Sequence, residues 1–170
     1  VFGGVIAHAG GRLNGEALTN SFDALQANTG RYDVFEIDIS WTADNELVCI
    51  HDWDESLKYR FALQDGPITR ADFMQRLSAS PDRPRNCDLD GLAGWMRANP
   101  DKRIVTDIKS NPLDGLKLIA ERHPDILGQF LPQAYQPEEI AALKALGFKD
   151  VIWTLYRFPR DEERIVQEAL

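Results

Sequence analysis

The stretch 34–52 constrains the fold of this chain most, because it places charged residues inside an apolar run. Its first part reads Val-Phe-Glu-Ile-Asp-Ile, with carboxylates at Glu36 and Asp38. Side chains alternate along a β-strand, so residues two positions apart share one face. The pattern therefore predicts a strand that presents both carboxylates on one side. A solvated edge strand, with Glu36 and Asp38 facing water, is the alternative interpretation.

The second part of this stretch brings an imidazole toward the same place. A polar turn around Asp44 and Asn45 separates the first strand from a short apolar strand over 47–50. His51 and Asp52 follow directly. Two like charges in an apolar strand are costly unless something compensates them. Mg²⁺ and Ca²⁺ prefer carboxylate oxygen, so the pattern favours a hard cation at this site.

The rest of the chain alternates strands with helices. Strands are predicted to end at His8 and to cover 103–109, 129–135, interrupted by Pro132, and 151–156. Helices are predicted at 22–30, from Thr69 to 77, at 90–98, from Pro112 to 120, at 137–147 and at 161–170. This alternation is typical of βαβ units and a parallel sheet, which gives an α/β fold. We therefore expect residues 1–170 to form a single domain.

Polar residues recur where the predicted strands end: His8, Glu36, Asp38, Asp107 and Lys109. The carboxyl ends of the strands form the active-site face of a (β/α) barrel. This recurrence favours a functional site over surface decoration. For His8 alone, which precedes a Gly-Gly pair, a structural role is the alternative.

Composition and charge narrow the function classes. The net charge of −8 argues against a nucleic-acid partner and is compatible with a cation site. Two cysteines do not make a disulfide framework, and Cys49, in an apolar strand, is predicted to be a buried thiol. Nucleotide-binding GxGxxG and GxxxxGK[ST] motifs are absent from the sequence. Because Val1 opens what reads as a strand, we expect a trimmed N-terminus, which leaves localisation open with a lean toward an extracytoplasmic compartment.

The order of these motifs resembles the glycerophosphodiester phosphodiesterase family over nearly the whole chain. His-x-Gly at His8 is followed by Glu-x-Asp at Glu36, by His-Asp at His51, fifteen residues after the glutamate, and by acid-x-Lys at Asp107. The resemblance implies a TIM (β/α) barrel. It also implies a metal-dependent hydrolase that acts on glycerophosphodiesters, small phosphodiester substrates.

The resemblance also implies roles for individual residues. Glu36, Asp38 and Asp107 would hold one divalent cation, Mg²⁺ or Ca²⁺. Lys109 would add a second positive contact to the substrate phosphate. In this reading the cation neutralises charge on a phosphate oxygen in the transition state.

Two histidines would carry the proton transfers. His8 and His51 would be general acid and base, because imidazole titrates near neutral pH. Asn20 matches the asparagine of the family's Glu-Asn-Thr or Glu-Asn-Ser motif, here Thr19-Asn20-Ser21. With Asp52, it would support the site.

Two departures from the family pattern bear on activity and substrate. The family's His-Arg-Gly is His8-Ala9-Gly10 here, so Arg12 is the candidate replacement for the missing phosphate-binding arginine. The family's Glu-x-Lys is Asp107-Ile-Lys109, which resembles sphingomyelinase D-like phospholipases. A phospholipase D-like enzyme acting on a lipid headgroup, and an inactive barrel used for binding, therefore stay open as alternatives. Membrane contact would use exposed aromatic residues, with Trp41, Trp53 and Tyr59 as candidates.

A third departure concerns size. Five core strands and one hairpin strand are predicted, whereas an eight-strand barrel needs roughly 200 residues or more. We therefore expect an incomplete barrel, with its last strands missing. Its unpaired strand edges would favour self-association.

Overall fold

The computed structural model describes residues 4–56, 66–78 and 82–155. The strands in these ranges are β1 (Ile6–Ala7), β2 (Val34–Trp41), β3 (Leu47–Val48), β4 (Arg103–Ile108), β5 (Phe130–Ala134) and β6 (Ile152–Trp153). The helices are α1 (Phe22–Asn28), α2 (Arg70–Ser78), α3 (Leu89–Ala98), α4 (Pro112–Arg122) and α5 (Pro137–Ala145), with 3-10 segments at His8–Gly10 and Pro124–Gln129.

Five strands form a parallel sheet in the order β1-β2-β4-β5-β6, and β3 pairs antiparallel with β2. Helices connect successive parallel strands, as expected for βαβ units. The result is a parallel half-barrel. The predicted α/β class and incomplete (β/α) barrel are therefore confirmed.

Strand β2 lies in the interior of the sheet between β1 and β4. Phe35, Ile37 and Ile39 pack into the main hydrophobic core. Glu36 and Asp38 alternate with them and are only 9% and 2% exposed. The solvated-edge interpretation of this strand is therefore wrong, because β2 is paired on both sides and covered on both faces.

Strand β5 runs through Pro132, so the predicted interruption there is wrong. Its residues up to Pro132 pair with β4, and from Gln133 onward they pair with β6. Proline lacks the backbone N–H that a ladder needs. It is tolerated here because it lies where one ladder ends and the next begins.

The two cysteines form a disulfide, so the prediction of a buried thiol at Cys49 is wrong. They lie 38 positions apart in sequence, but the chain entering α3 returns to the end of β3. There the Cys49 N–H donates to the Cys87 carbonyl at 2.7 Å. This long-range pairing brings together two side chains that the sequence shows as separate.

Two sequence predictions lie outside the described residues: the last helix, 161–170, and the aromatic candidate Tyr59. Trp41 and Trp53 are described, and both indole nitrogens donate to backbone carbonyls, of Ser110 and Trp41 respectively. Across the described part of the chain, no helix has the length and apolar character to cross a bilayer.

Candidate active site

Six of the nine predicted site residues line a cavity of about 440 Å³ at the carboxyl ends of the strands, and Glu36, Asn20 and Arg12 are not among its described lining residues. His8 follows β1, Asp38 lies in β2, and Asp107 lies in β4. The remaining lining residues are Ala17, Leu18, His51, Asp52, Glu55, Ser56 and Lys109. Residues from four separate parts of the sequence thus share one cavity.

Asp38 and Asp107 are register partners on neighbouring strands. The Lys109 ammonium bridges them, at 2.6 Å from Asp38 Oδ1 and 2.8 Å from Asp107 Oδ2. Tyr135 donates its hydroxyl to Asp107 Oδ1 at 2.9 Å. Both oxygens of Asp107 are therefore engaged by neighbouring side chains.

Asn20 holds Asp38 through two hydrogen bonds. Its side-chain nitrogen donates to Asp38 Oδ2 at 2.8 Å, and its side-chain oxygen accepts the Asp38 backbone N–H at 3.0 Å. Asn20 has a φ of 48°, a left-handed conformation that asparagine tolerates better than most residues. Asn20 thus contacts Asp38 directly, and its supporting role in the site stays a prediction.

Glu36 is the most perturbed carboxyl of the site. Burial raises its pKa to about 8, and the charges of Asp38 and Asp107 add to the rise. The Ala9 N–H donates to Glu36 Oε2 at 2.8 Å and lowers the pKa, but does not offset those causes. Ionising Glu36, Asp38 and Asp107 together would therefore place more negative charge here than Lys109 neutralises.

This charge balance suits a divalent cation. His8, Glu36 and Asp38 each offer a ligand atom, and these atoms lie within 4.8 Å of one another. Carboxylate oxygens are the preferred ligands of Mg²⁺ and Ca²⁺. This compact group contains His8 where the sequence predicted Asp107. The ligand set therefore stays a prediction, with Asp107 beside it as the register partner of Asp38.

His51 is oriented by its neighbour Asp52. His51 Nδ1 lies 2.8 Å from Asp52 Oδ2, which also accepts the Ser56 hydroxyl. Burial raises the pKa of Asp52, but hydrogen bonds from His51 and Ser56 outweigh it and lower that pKa to about 2. An ionised Asp52 favours a proton on Nδ1, which leaves Nε2 to exchange a proton with a substrate.

Ala9 stands in the His8-Ala9-Gly10 turn where the family pattern has an arginine. Ala9 is fully buried, with a φ of 50°, and its N–H is used to hold Glu36. Arg12 is exposed and is not among the described residues that line the cavity. The prediction that Arg12 binds phosphate therefore gains no support from its position.

Sequence reasoning missed three residues that contact the site residues. Ser40 donates to the carbonyls of Ile50 and His51 at 3.0 and 3.2 Å. Ser40 shares a face of β2 with Asp38, so the same alternation that identified Glu36 and Asp38 could have identified Ser40. Tyr135 and Asn86, which bonds the backbone at Asn20, come from distant segments and give no such local signal.

Comparison with known proteins places this fold. No family model and no curated protein matches the sequence. Among solved structures, a glycerophosphoryl diester phosphodiesterase from Parabacteroides distasonis matches with a TM-score of 0.67 and 17% identity over 95% of this chain and 58% of its own. A glycerophosphodiester phosphodiesterase from Thermotoga maritima gives 0.67 and 18% over 96% of this chain and 69% of its own.

A third match, from Agrobacterium tumefaciens, is again a glycerophosphodiester phosphodiesterase, with a TM-score of 0.58 and 18% identity over 83% of this chain and 62% of its own. The chain thus spans roughly three fifths to two thirds of the length of these solved proteins. Sequence identities of 17–18% establish similarity of the fold alone. The resemblance inferred from the motifs is confirmed at that level: this chain has the fold of the glycerophosphodiester phosphodiesterases over part of their barrel.

Proposed function

We propose that this chain hydrolyses phosphodiesters of the glycerophosphodiester class, with one divalent cation as cofactor. The observation that carries the proposal is the shared cavity, which His8 and His51 line together with Asp38, Asp107 and Lys109. Two imidazoles beside clustered carboxylates and a lysine suit phosphoryl transfer to water or a hydroxyl. The shared fold with phosphodiesterases supports the same reaction class.

Glu36, Asp38 and Asp107 would hold the cation, Mg²⁺ or Ca²⁺. When bound, it supplies positive charge that neutralises a non-bridging phosphate oxygen. Lys109, which lies between Asp38 and Asp107, would contact a second phosphate oxygen. These residues thus bind and orient the phosphodiester between the two histidines.

His8 and His51 would move the protons. One imidazole accepts the proton of the attacking hydroxyl, and the other gives a proton to the leaving alkoxide. The attacking hydroxyl belongs either to water or to a neighbouring position of the substrate, which then forms a cyclic phosphate. Asp52 keeps His51 oriented for its transfer through the bond to Nδ1.

The test is release of glycerol phosphate from a glycerophosphodiester by the purified protein. We expect activity with Mg²⁺ or Ca²⁺, loss with a chelator, and recovery when the cation is returned. A Glu36→Gln, Asp38→Asn double variant, purified identically, controls for contaminating phosphodiesterases. Equal activity in the wild type and this variant, or none in either, would overturn the proposal and favour a binding role.

A lipid phosphodiester is a second candidate substrate, and one observation favours it. Leu18 is 55% exposed and lines the cavity beside Ala17, so apolar surface borders the charged site. An acyl chain near the scissile phosphate would cover this surface. Comparing a water-soluble glycerophosphodiester with a lysophospholipid decides between them. Leu18→Ser should weaken turnover of the lipid alone if the surface contacts a chain.

We propose an oxidising compartment for this protein. Disulfides persist mainly in extracytoplasmic environments, and Cys49 and Cys87 are bonded and buried. Trapping thiols during extraction from the native host tests this. Two alkylated cysteines in the freshly trapped protein would contradict it.

A further inference from the structure

We propose that Asn86 is a positioning residue that fixes the loop carrying Asn20 against the strand end carrying His51. We call residues 86–87 the bracket. Asn86 is not among the described residues lining the cavity, so it acts through others. The inference rests on the proposed function, since its effect is read partly on turnover.

The Asn86 side chain makes three contacts from one atom. Its Nδ2 lies 2.7 Å from the Cys49 carbonyl oxygen and 3.1 Å from those of both Thr19 and Asn20. Asn86 is only 4% exposed, so these bonds are shielded from water. A single buried amide thus joins two segments that lie far apart in sequence.

Both segments lead directly to site residues. Asn20 holds Asp38 through its side-chain oxygen and nitrogen. Cys49 lies two positions before His51, which lines the cavity. Asn86 therefore adds a link between the segments of Asp38 and His51, beside the β2–β3 pairing and the Ser40 bonds to the Ile50 and His51 carbonyls.

Cys87 reinforces the bracket. Its disulfide to Cys49 and the Cys49 N–H bond to its carbonyl fasten the bracket to the end of β3. A bridge pairing of Ser21 with Asn86 fastens it to the start of α1. The disulfide attaches the bracket to Cys49, and the Asn86 amide makes the side-chain hydrogen bonds to Thr19 and Asn20.

Loss of this amide would leave buried carbonyls at 19, 20 and 49 without their donor. The loops would then separate to admit water. A displacement of about 1 Å in a catalytic group costs on the order of 10²-fold in rate. We therefore expect a larger effect on turnover than a structural bond elsewhere would have.

The chain offers a matched control in Gln129. Its Nε2 also donates to three backbone carbonyls, those of Met96, Asn99 and Lys102, at 2.9, 3.0 and 3.1 Å. Gln129 directly precedes β5, at the opposite end of the sheet from the cavity. Gln129→Ala removes the same kind of contact without touching the site.

The experiment compares Asn86→Ala with Gln129→Ala in three measurements: melting temperature, kcat with a glycerophosphodiester, and amide hydrogen exchange. We expect similar losses in melting temperature. Only Asn86→Ala should lower kcat, by at least about tenfold, and speed exchange at both 19–21 and 49–52. Unchanged kcat in Asn86→Ala, or an equal fall in both variants, would overturn the inference.

Two further arms keep the result decisive. An inactive wild type would refute the proposed function, while hydrogen exchange would still test the bracket. If Asn86→Ala does not fold, Asn86→Ser, which keeps one donor, takes its place. Amide hydrogen exchange in the wild type gives a final check. Rapid exchange of the amides at 19–21 together with protected amides at 49–52 would contradict the proposal that the bracket holds these two segments together.

Discussion

Asp38 and Asp107 lie opposite each other on adjacent parallel strands, and the Lys109 ammonium lies between their carboxylates. Glu36 stands two positions before Asp38 on the same face of β2. Three carboxylates thus share one lysine in a largely buried place. Burial is the first cause of the raised pKa of Glu36, and the charges of its acidic neighbours add to the rise.

Replacing Lys109 tests this arrangement. Lys109→Met removes the positive side chain that bridges Asp38 and Asp107, so the carboxylates repel each other. We expect the stability of the metal-free protein to fall by on the order of 2 kcal/mol, less than for a fully buried pair because Lys109 is partly exposed. Turnover should fall about 10²-fold. Lys117→Met, which breaks only the exposed pair with Asp114, should change neither quantity.

The histidine pair gives the second prediction. His8→Ala and His51→Ala should each reduce kcat on a glycerophosphodiester by at least about 10²-fold, the usual cost of losing a general acid or base. His123→Asn is the control, because His123 follows α4 at the opposite end of the sheet. Near-normal turnover in either alanine variant would contradict a proton-transfer role for that histidine and favour a structural role.

Glu36 gives a prediction for pH. Its folded-state pKa is about 8 against an ordinary 4.5, so the folded protein binds this proton more tightly than the unfolded chain does. The stability that this tighter proton binding adds is therefore fully present below about pH 4.5. As pH rises toward about 8 it is lost, so the free energy of unfolding of the metal-free protein should decrease. Denaturant unfolding across this range measures it.

Two comparisons sharpen that measurement. Glu36→Gln removes the titrating group, so the decrease between about pH 4.5 and about pH 8 should become smaller. Mg²⁺ or Ca²⁺ should stabilise the wild type more at about pH 8 than at about pH 5, because the cation competes with the proton. A wild type and a variant with the same pH dependence would contradict the assignment to Glu36.

The central strand could be predicted because its signal is local. An alternation with period two placed Glu36 and Asp38 on one face, and β2 has that alternation. The start of helix α1 could also be predicted, because Ser21 caps it by accepting the Ala24 N–H. These features depend on residues within a few positions of one another.

The remaining contacts depend on tertiary structure, and the sequence carries no local sign of them. Tyr135 reaches Asp107 from 28 positions away, and Cys87 bonds Cys49 across 38. Asn86 reads as one residue of a polar surface loop, yet it is buried against three carbonyls. Pairings of this kind follow only after the strands have assembled, so a single sequence does not reveal them.

The last prediction concerns the edges of the half-barrel. Within the described residues, β1 pairs only with β2 and β6 only with β5, while Val5 and Ile6 are 73% and 43% exposed. Unpaired backbone groups beside apolar side chains promote pairing with another chain. We expect the 170-residue chain to associate as its concentration rises, and Val5→Lys to weaken this by placing charge at the β1 edge. Sedimentation velocity over a concentration series measures it, with Leu18→Lys as a control that adds the same charge away from the edges. A concentration-independent monomer, or equal weakening by both variants, would show that these edges do not mediate association.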